Sequence, residues 1–325
     1  MKKILACLLS ASMLLGMASC GESSQKDQVV IYSSMESYRN DELSKQLKEQ
    51  FPDLNVVVQY QSTGNSAAKL NTEGANVEAD IVVDLDTGYL EGLTDVMADL
   101  SDYDTSMYVD GLNPDHNRYR IWARASGAII VNTQVLQEKG LPEPETYEDL
   151  LKPEYKGLIA MPSPKTSGTG YYFLKSWVNT MGEDAAFAYV DQLQENIAQF
   201  TESGAGPVQL LSQGEVAIGL GMTFQAVSEI NNGVPLKVIV PPEGAPYNLT
   251  GFGIVSGKED KAGVKEVFDW LYNTYCRYDK EHFLPEKIYK EQNNQLENYP
   301  EMEYADMTGI SDLDEKTRLL EKWNY

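Results

Sequence analysis

Ser163-Pro164-Lys165-Thr166-Ser167-Gly168-Thr169-Gly170 joins a short apolar run, residues 158–161, to a segment with helical patterning, residues 171–181. A strand that ends in hydroxyls and glycines and passes straight into a helix is the repeating unit of an α/β sheet. Such a turn can also cradle an anion. The first amides of a helix have no intrahelical partner and carry the positive end of its dipole, Gly lets the backbone close on a ligand, and Ser and Thr add donors. The same residue types make an ordinary helix cap, so one turn alone leaves both readings open.

Outward from this turn the alternation continues. On the N-terminal side, residues 29–32 read as a strand and 36–50 as a helix with Leu43, Leu47 and Phe51 on one face. A strand at 54–60, a helix at 66–73, a strand at 81–83 and a helix at 88–97 follow. Residues 99–120 lose the rhythm and end in Arg118-Tyr119-Arg120. After a strand at 127–131 a second alternating set runs from 158 to 240. A strand at 252–255 then precedes an amphipathic helix with Val264, Val267, Phe268, Leu271, Tyr272 and Tyr275 on one stripe. The C-terminal region closes with a helix at 312–323. Two α/β lobes with mostly parallel sheets, covered on both faces, are the simplest account.

Three more turns repeat the chemistry of the first: Tyr32-Ser33-Ser34, Ser62-Thr63-Gly64-Asn65-Ser66, and Thr201-Glu202-Ser203-Gly204-Ala205-Gly206-Pro207. Each follows a strand, at the carboxyl end where open α/β sheets bind ligands, and Pro207 fits a first helical position. If two lobes face one another, amides and hydroxyls from four turns converge on one cleft.

The N-terminus gives an address. Lys2-Lys3, an apolar stretch from 4 to 17, and Ala18-Ser19-Cys20 form the three regions of a secretory signal, too short for a membrane span. The run Met17-Ala18-Ser19-Cys20 resembles the lipobox of bacterial lipoproteins, which implies cleavage after residue 19 and lipidation of Cys20. Residues 20–28 are then a lipidated tether, and the protein is held by acyl chains at the extracytoplasmic face of a cell membrane. With Cys7 in the signal and Cys20 lipidated, Cys276 is left as a lone thiol within a helical pattern, so no internal disulfide forms. A net charge of −23 argues against nucleic acid as a partner. A small anion remains compatible, because local amides govern a cleft more than distant screened charge does.

At this point a family resemblance emerges. Val30-Ile31-Tyr32-Ser33-Ser34, Ser62-Thr63-Gly64, the run Glu73-Gly74-Ala75-Asn76-Val77-Glu78-Ala79-Asp80-Ile81, Ser167-Gly168-Thr169-Gly170 and Gly214-Glu215-Val216-Ala217-Ile218-Gly219 resemble the solute-binding proteins of ABC importers. The branch is that of ferric-ion, aminoethylphosphonate and hexose-phosphate binders. The resemblance implies a type II, two-lobed periplasmic-binding-protein-like fold that closes about a hinge on its solute and delivers it to a membrane permease with its ATPase. It implies lobe crossovers near Gly127 and Phe252, hence lobe 1 at 29–124, lobe 2 at 125–246, a return to lobe 1 at 247–280, and a C-terminal region at 281–325 packing on lobe 2. Ferric binders of this branch are similar in carrying paired tyrosines where this chain has Gly221-Met222-Thr223-Phe224-Gln225; Tyr171-Tyr172 lies in an earlier helix and is expected to pack. The expected solute is therefore a small oxyanion such as a phosphorylated sugar or a phosphonate, with ferric ion as the alternative. A monomer without cofactor or bound metal is expected.

The expected ligand-binding set is Ser33, Ser34, Thr63, Gly64, Asp84, Arg124, Ser167, Gly168, Thr169, Gly170, Ser203, Gly204, Ala205, Gly206 and Thr223. Arg124 could clamp an anion bidentately or lie solvated on a sheet edge. Asp84 and Asp86, two apart on a strand, share a face and could hold hydroxyls or an amine; Asp86 could equally cap the helix that follows. Ser66-Ala67-Ala68-Lys69 matches the Ser-x-x-Lys of penicillin-interactive serine enzymes. Its companion Ser-Asp-Asn element is missing and Lys165-Thr166-Ser167-Gly168 precedes a helix rather than lying on a strand, so no enzyme is expected.

Overall fold

Strand-forming runs of Val and Ile, buried on both faces, alternate with helices from Gln28 onward. The computed structural model describes residues 28–325; the expected signal, Cys20 and nearly all of the tether lie outside the described residues. In chain order the elements are β1 (Gln28–Ser33), α1 (Ser37–Gln50), β2 (Asn55–Tyr60), α2 (Thr63–Glu73), β3 (Ile81–Asp86), α3 (Thr87–Glu91) and β4 (Arg120–Asn132). Then come α4 (Thr133–Lys139), β5 (Ile159–Pro162), α5 (Gly168–Met181), α6 (Glu183–Leu193), β6 (Ile197–Thr201), α7 (Gly206–Gln213), β7 (Ile218–Met222), α8 (Thr223–Asn231) and β8 (Leu236–Ile239). The last are β9 (Tyr247–Ile254), α9 (Val264–Trp270), α10 (Cys276–His282) and α11 (Leu313–Lys322).

The fold is α/β and two-lobed. In one lobe β1 lies parallel between β2 and β3; in the other β5 lies parallel between β6 and β7. Between these sets run β9 and β4, antiparallel to each other and to their outer neighbours. The strand order is β2-β1-β3-β9-β4-β7-β5-β6, with β8 also beside β4. The sheet is thus less parallel than the alternation suggests, because both crossover strands run against it.

β4 is 13 residues long because its halves serve different lobes: Arg120–Ser126 pairs with β9, and Gly127–Val131 with β7. Its first half hides in the sequence behind Arg118-Tyr119-Arg120. Arg120 is nonetheless buried, its guanidinium donating to the carbonyls of Tyr119, Leu100 and Tyr103 and to the Asn117 side chain. Carbonyl partners satisfy the Nη donors that burial removes from water, while Nε has no partner among the described residues.

Two main cores result. One gathers Val30, Ile31, Leu43, Val82, Trp122, Phe252, Phe268 and Leu271; the other Ile129, Ile159, Phe173, Trp177, Ile218 and Leu220. Each fully buried Leu, Ile or Phe contributes about 1.5–3 kcal/mol by leaving water. The predicted amphipathic helix does not stop at Tyr275: a π-helical turn at Leu271–Tyr275 links α9 to α10. The extra residue in that turn advances the buried stripe onto Cys276, Asp279 and Lys280. Burial pushes the Cys276 thiol up to about 12, which makes it inert. Beyond α10 the chain contributes Leu284, Ile288 and Tyr289 to the first core and Ala305, Met307, Leu319 and Trp323 to the second. Like β4 and β9, it passes from one lobe to the other.

Candidate functional site

The carboxyl ends of β1, β2, β3, β5 and β6 open on a cleft of about 500 Å³ between the lobes. From the second lobe come Thr166, Ser167, Gly168 and Thr169 at the start of α5, and Glu202, Ser203 and Gly204 ahead of α7. The first three amides of α5 have no intrahelical acceptor, and the Ser167 side chain makes no cap hydrogen bond. This wall therefore presents open amides and hydroxyls. The two turns also touch. A Cβ on Gly204 would meet Thr169 Oγ1 at 2.2 Å, so only glycine lets the loop before α7 sit against α5.

The first lobe supplies Ser34, Glu36, Arg39, Ser62, Thr63, Asp84 and Asp86, with Asn248 and Thr250 from β9. Arg39 is the one basic side chain lining the cleft among the described residues, and its charge is already engaged. Nε and Nη2 donate to Asp279 at 2.8 and 2.6 Å, and Nη1 donates to Glu36 at 2.9 Å and to Asp84 at 3.1 Å. Burial alone would lower the Arg39 pKa, yet these carboxylates hold it well above its usual value. Burial alone would raise Asp279, yet Arg39 and Lys280, whose Nζ is 2.6 Å away, bring it down to about 2. Asp84 takes φ +61°, where β3 slips register against β9, and from there accepts from the Thr250 hydroxyl at 2.5 Å as well as from Arg39. A non-glycine residue held at such a φ costs on the order of 1–3 kcal/mol, which its two partners offset. Asp86 caps α3 through the Gly88 amide at 2.9 Å and accepts from Asn248 at 3.1 Å, while still facing the cleft.

Eight of the expected residues line this cleft: Ser34, Thr63, Asp84, Ser167, Gly168, Thr169, Ser203 and Gly204. Others have different places. Ser33 is fully buried and its Oγ accepts the Met35 amide. Gly64 lines a separate hollow beside Tyr89. Gly170 lets α5 lie on β5, since a Cβ there would stand 2.4 Å from the Pro162 carbonyl oxygen. Gly206 packs on Thr201, Ala205 faces a neighbouring groove, and Thr223 is buried with its hydroxyl 2.9 Å from Ser126. Ser66 is buried in α2, away from the cleft, and Lys69 meets the Tyr32 hydroxyl at 3.3 Å.

Arg124 does not line the cleft. Successive residues of a strand face opposite ways, and since Ala125 of β4 lines the cleft, Arg124 and Ser126 face behind it. There the Arg124 guanidinium stacks 4.0 Å from the Tyr304 ring centre and 4.8 Å from that of Tyr247. Behind the cleft too, buried Glu286 accepts from the hydroxyls of Ser126, Tyr299 and Tyr304. Burial, then Glu286, pushes both phenols well above their usual pKa, so they stay donors.

Glu36 and Arg39 escaped the sequence reading. Their signal was an acid and a base three apart at a helix start, separated from Ser33-Ser34 by Met35 alone. Asn248 and Thr250 were missed because β9 begins earlier than its apolar run. Among the described residues no group of three or more His, Cys, Asp or Glu is placed to hold a metal ion, and no helix is long and apolar enough to cross a membrane.

Comparison with known proteins bears on the same features. The sequence profile of bacterial extracellular solute-binding proteins matches residues 84–310. An uncharacterized protein of Haemophilus influenzae is 28% identical over 285 residues, 82% of this chain and 79% of that one. The structure of the periplasmic binding protein AfuA from Actinobacillus pleuropneumoniae, with exogenous fructose-6-phosphate bound, superposes with a TM-score of 0.75 at 25% identity, covering 91% of this chain and 97% of that one. The spermidine/putrescine-binding periplasmic protein of Salmonella typhimurium is 25% identical over 164 residues; these are 49% of this chain but only 45% of that relative's length.

Proposed function

The chain belongs to the bacterial extracellular solute-binding proteins, and from that premise we propose that it captures a small solute carrying a phosphoryl, phosphonyl or similar oxyanion and hands it to an ABC permease. The observation that carries this reading is the convergence on one cleft of the helix-start amides and hydroxyls at Ser167–Thr169 and the Ser203–Gly204 loop ahead of α7. A solute held there reaches the opposite wall, where Glu36, Asp84 and Asp86 accept hydrogen bonds. Its far end therefore carries donors, sugar hydroxyls or an ammonium group. The fructose-6-phosphate in AfuA has that layout. Contacts to both walls favour the closed state, so solute binding drives closure about β4 and β9. The expected lipid at Cys20 would keep the receptor beside its permease.

A thermal-shift panel tests the reading. Fructose 6-phosphate or aminoethylphosphonate at a hundredfold excess over Kd should stabilise the protein by about 2.7 kcal/mol, a rise of several degrees in Tm. The four carboxylates lining the cleft and the polyamine-binding relative favour a second reading, a purely cationic solute. A response to spermidine with none to any phosphoryl or phosphonyl compound would replace the first reading by the second.

A further inference from the structure

A second groove, of about 430 Å³, adjoins the cleft and is lined from both lobes. Consecutive residues face the two spaces: Gly204 the cleft and Ala205 the groove, Phe224 the cleft and Gln225 the groove. The wall that offers the oxyanion its amides is therefore also the wall around which the groove begins. Its chemistry differs from that of the cleft. Gln209, Gln213 and Gln225 with Ser212 and Ser228 supply neutral amides and hydroxyls, and Tyr38 of α1, with 47% of its surface exposed, supplies a ring from the first lobe. Glu229 is the single charged residue among the lining residues. Amide side chains around an accessible aromatic face suit an uncharged, hydroxyl-rich group, whose C–H face lies on the ring while its hydroxyls meet donors and acceptors. Ser212 Oγ and Gln225 Oε1 are buried without a hydrogen-bond partner. Unsatisfied atoms of this kind are costly, and a small turn of either side chain toward a ligand hydroxyl removes the cost.

Resting on the oxyanion reading, we propose that this groove holds the neutral polyol half of a phosphodiester whose phosphoryl group lies in the cleft. A phosphate on the shared wall has two ester directions, one toward Glu36, Asp84 and Asp86 and the other past Ala205 into the groove. Charge points the same way. The cleft is lined by Glu36, Asp84, Asp86 and Glu202 against Arg39 alone, and such a lining repels a diester monoanion less than a monoester dianion.

Isothermal titration of the purified protein with glycerol 3-phosphate and with glycerophosphoinositol tests this. The diester is expected to bind at least tenfold more tightly than the monoester. Gln209→Ala with Gln225→Ala should remove most of that gain and leave glycerol 3-phosphate affinity within twofold of the parent. Equal affinities for the two compounds, or an equal loss for both in the double variant, overturns the groove assignment while the oxyanion reading stands. If neither compound binds while spermidine does, the oxyanion reading itself fails and takes the groove assignment with it.

Discussion

The two walls of the cleft are built on opposite principles. On the first-lobe wall Arg39, Glu36 and Asp84 carry full charges, but each is committed to a neighbour, and Asp279 and Lys280 complete the cluster beneath. On the second-lobe wall Glu202 is charged, but the groups at Ser167–Thr169 and Ser203–Gly204 are neutral and open. A paired buried charge has little left to offer a ligand, whereas an open amide or hydroxyl keeps its whole hydrogen bond. The difference teaches that a formal charge on a cleft wall does not by itself mark a ligand contact when, as with Arg39, it is already committed to neighbours. On the proposed reading the charged wall sets the shape of the cleft and the open turns of the second lobe hold the oxyanion.

The largest effect should come from breaking the charged wall. Arg39→Met leaves buried Asp279 and Asp84 without their principal partner and is expected to cost about 3–5 kcal/mol in urea unfolding. A loss below about 1 kcal/mol would mean the cluster relaxes freely and does not shape the wall. Breaking the open second-lobe turns should do the reverse. Ser167→Ala with Thr169→Ala is expected to weaken fructose 6-phosphate by about 2–3 kcal/mol, with unfolding within roughly 1 kcal/mol of the parent. Lost stability with unchanged affinity would show that these hydroxyls serve the fold alone.

Acid sharpens the contrast. Asp279 titrates near 2 in the folded protein against an ordinary 3.8, so the unfolded chain takes up this proton first as pH falls. Its contribution, about 2 kcal/mol, is complete above about pH 4 and disappears as pH falls through 2. In Asp279→Asn that segment of the stability–pH curve should flatten, and an unchanged slope would assign the acid sensitivity elsewhere. The smallest effect is expected behind the cleft. Arg124→Met removes two cation–π contacts at a cost of about 1–2 kcal/mol in stability, while fructose 6-phosphate affinity stays within twofold. A tenfold loss of affinity would bring Arg124 back to the ligand.

Much of this architecture was legible because period and punctuation agree. The Val-rich strands, the Ser–Gly turns and Pro207 mark elements that the structure places within a few residues of where the pattern puts them. The open second-lobe turns were legible for the same reason, since a helix start needs no distant partner to be recognised. The charged wall was not: what matters about Arg39 is Asp279, far along the chain and reached only through the extra residue of a π-helical turn. Arg124 marks the opposite failure. Its type and neighbourhood suggested an anion clamp, but sidedness on β4 depends on which neighbour faces the cleft, and that is fixed by pairing with β9 rather than by local sequence.

The position of β9 also bears on how the molecule comes into being. It lies between β3 and β4, so Val82 is paired with Gly253, roughly half the chain away, and the first core also waits for α9 and Leu284. Contacts this distant form slowly because a long loop must close before they are rewarded. A nascent chain of this design cannot seal its first lobe while its second is still being made. It stays pliable until almost all of it is present, the condition in which a polypeptide can be threaded across a membrane before it folds.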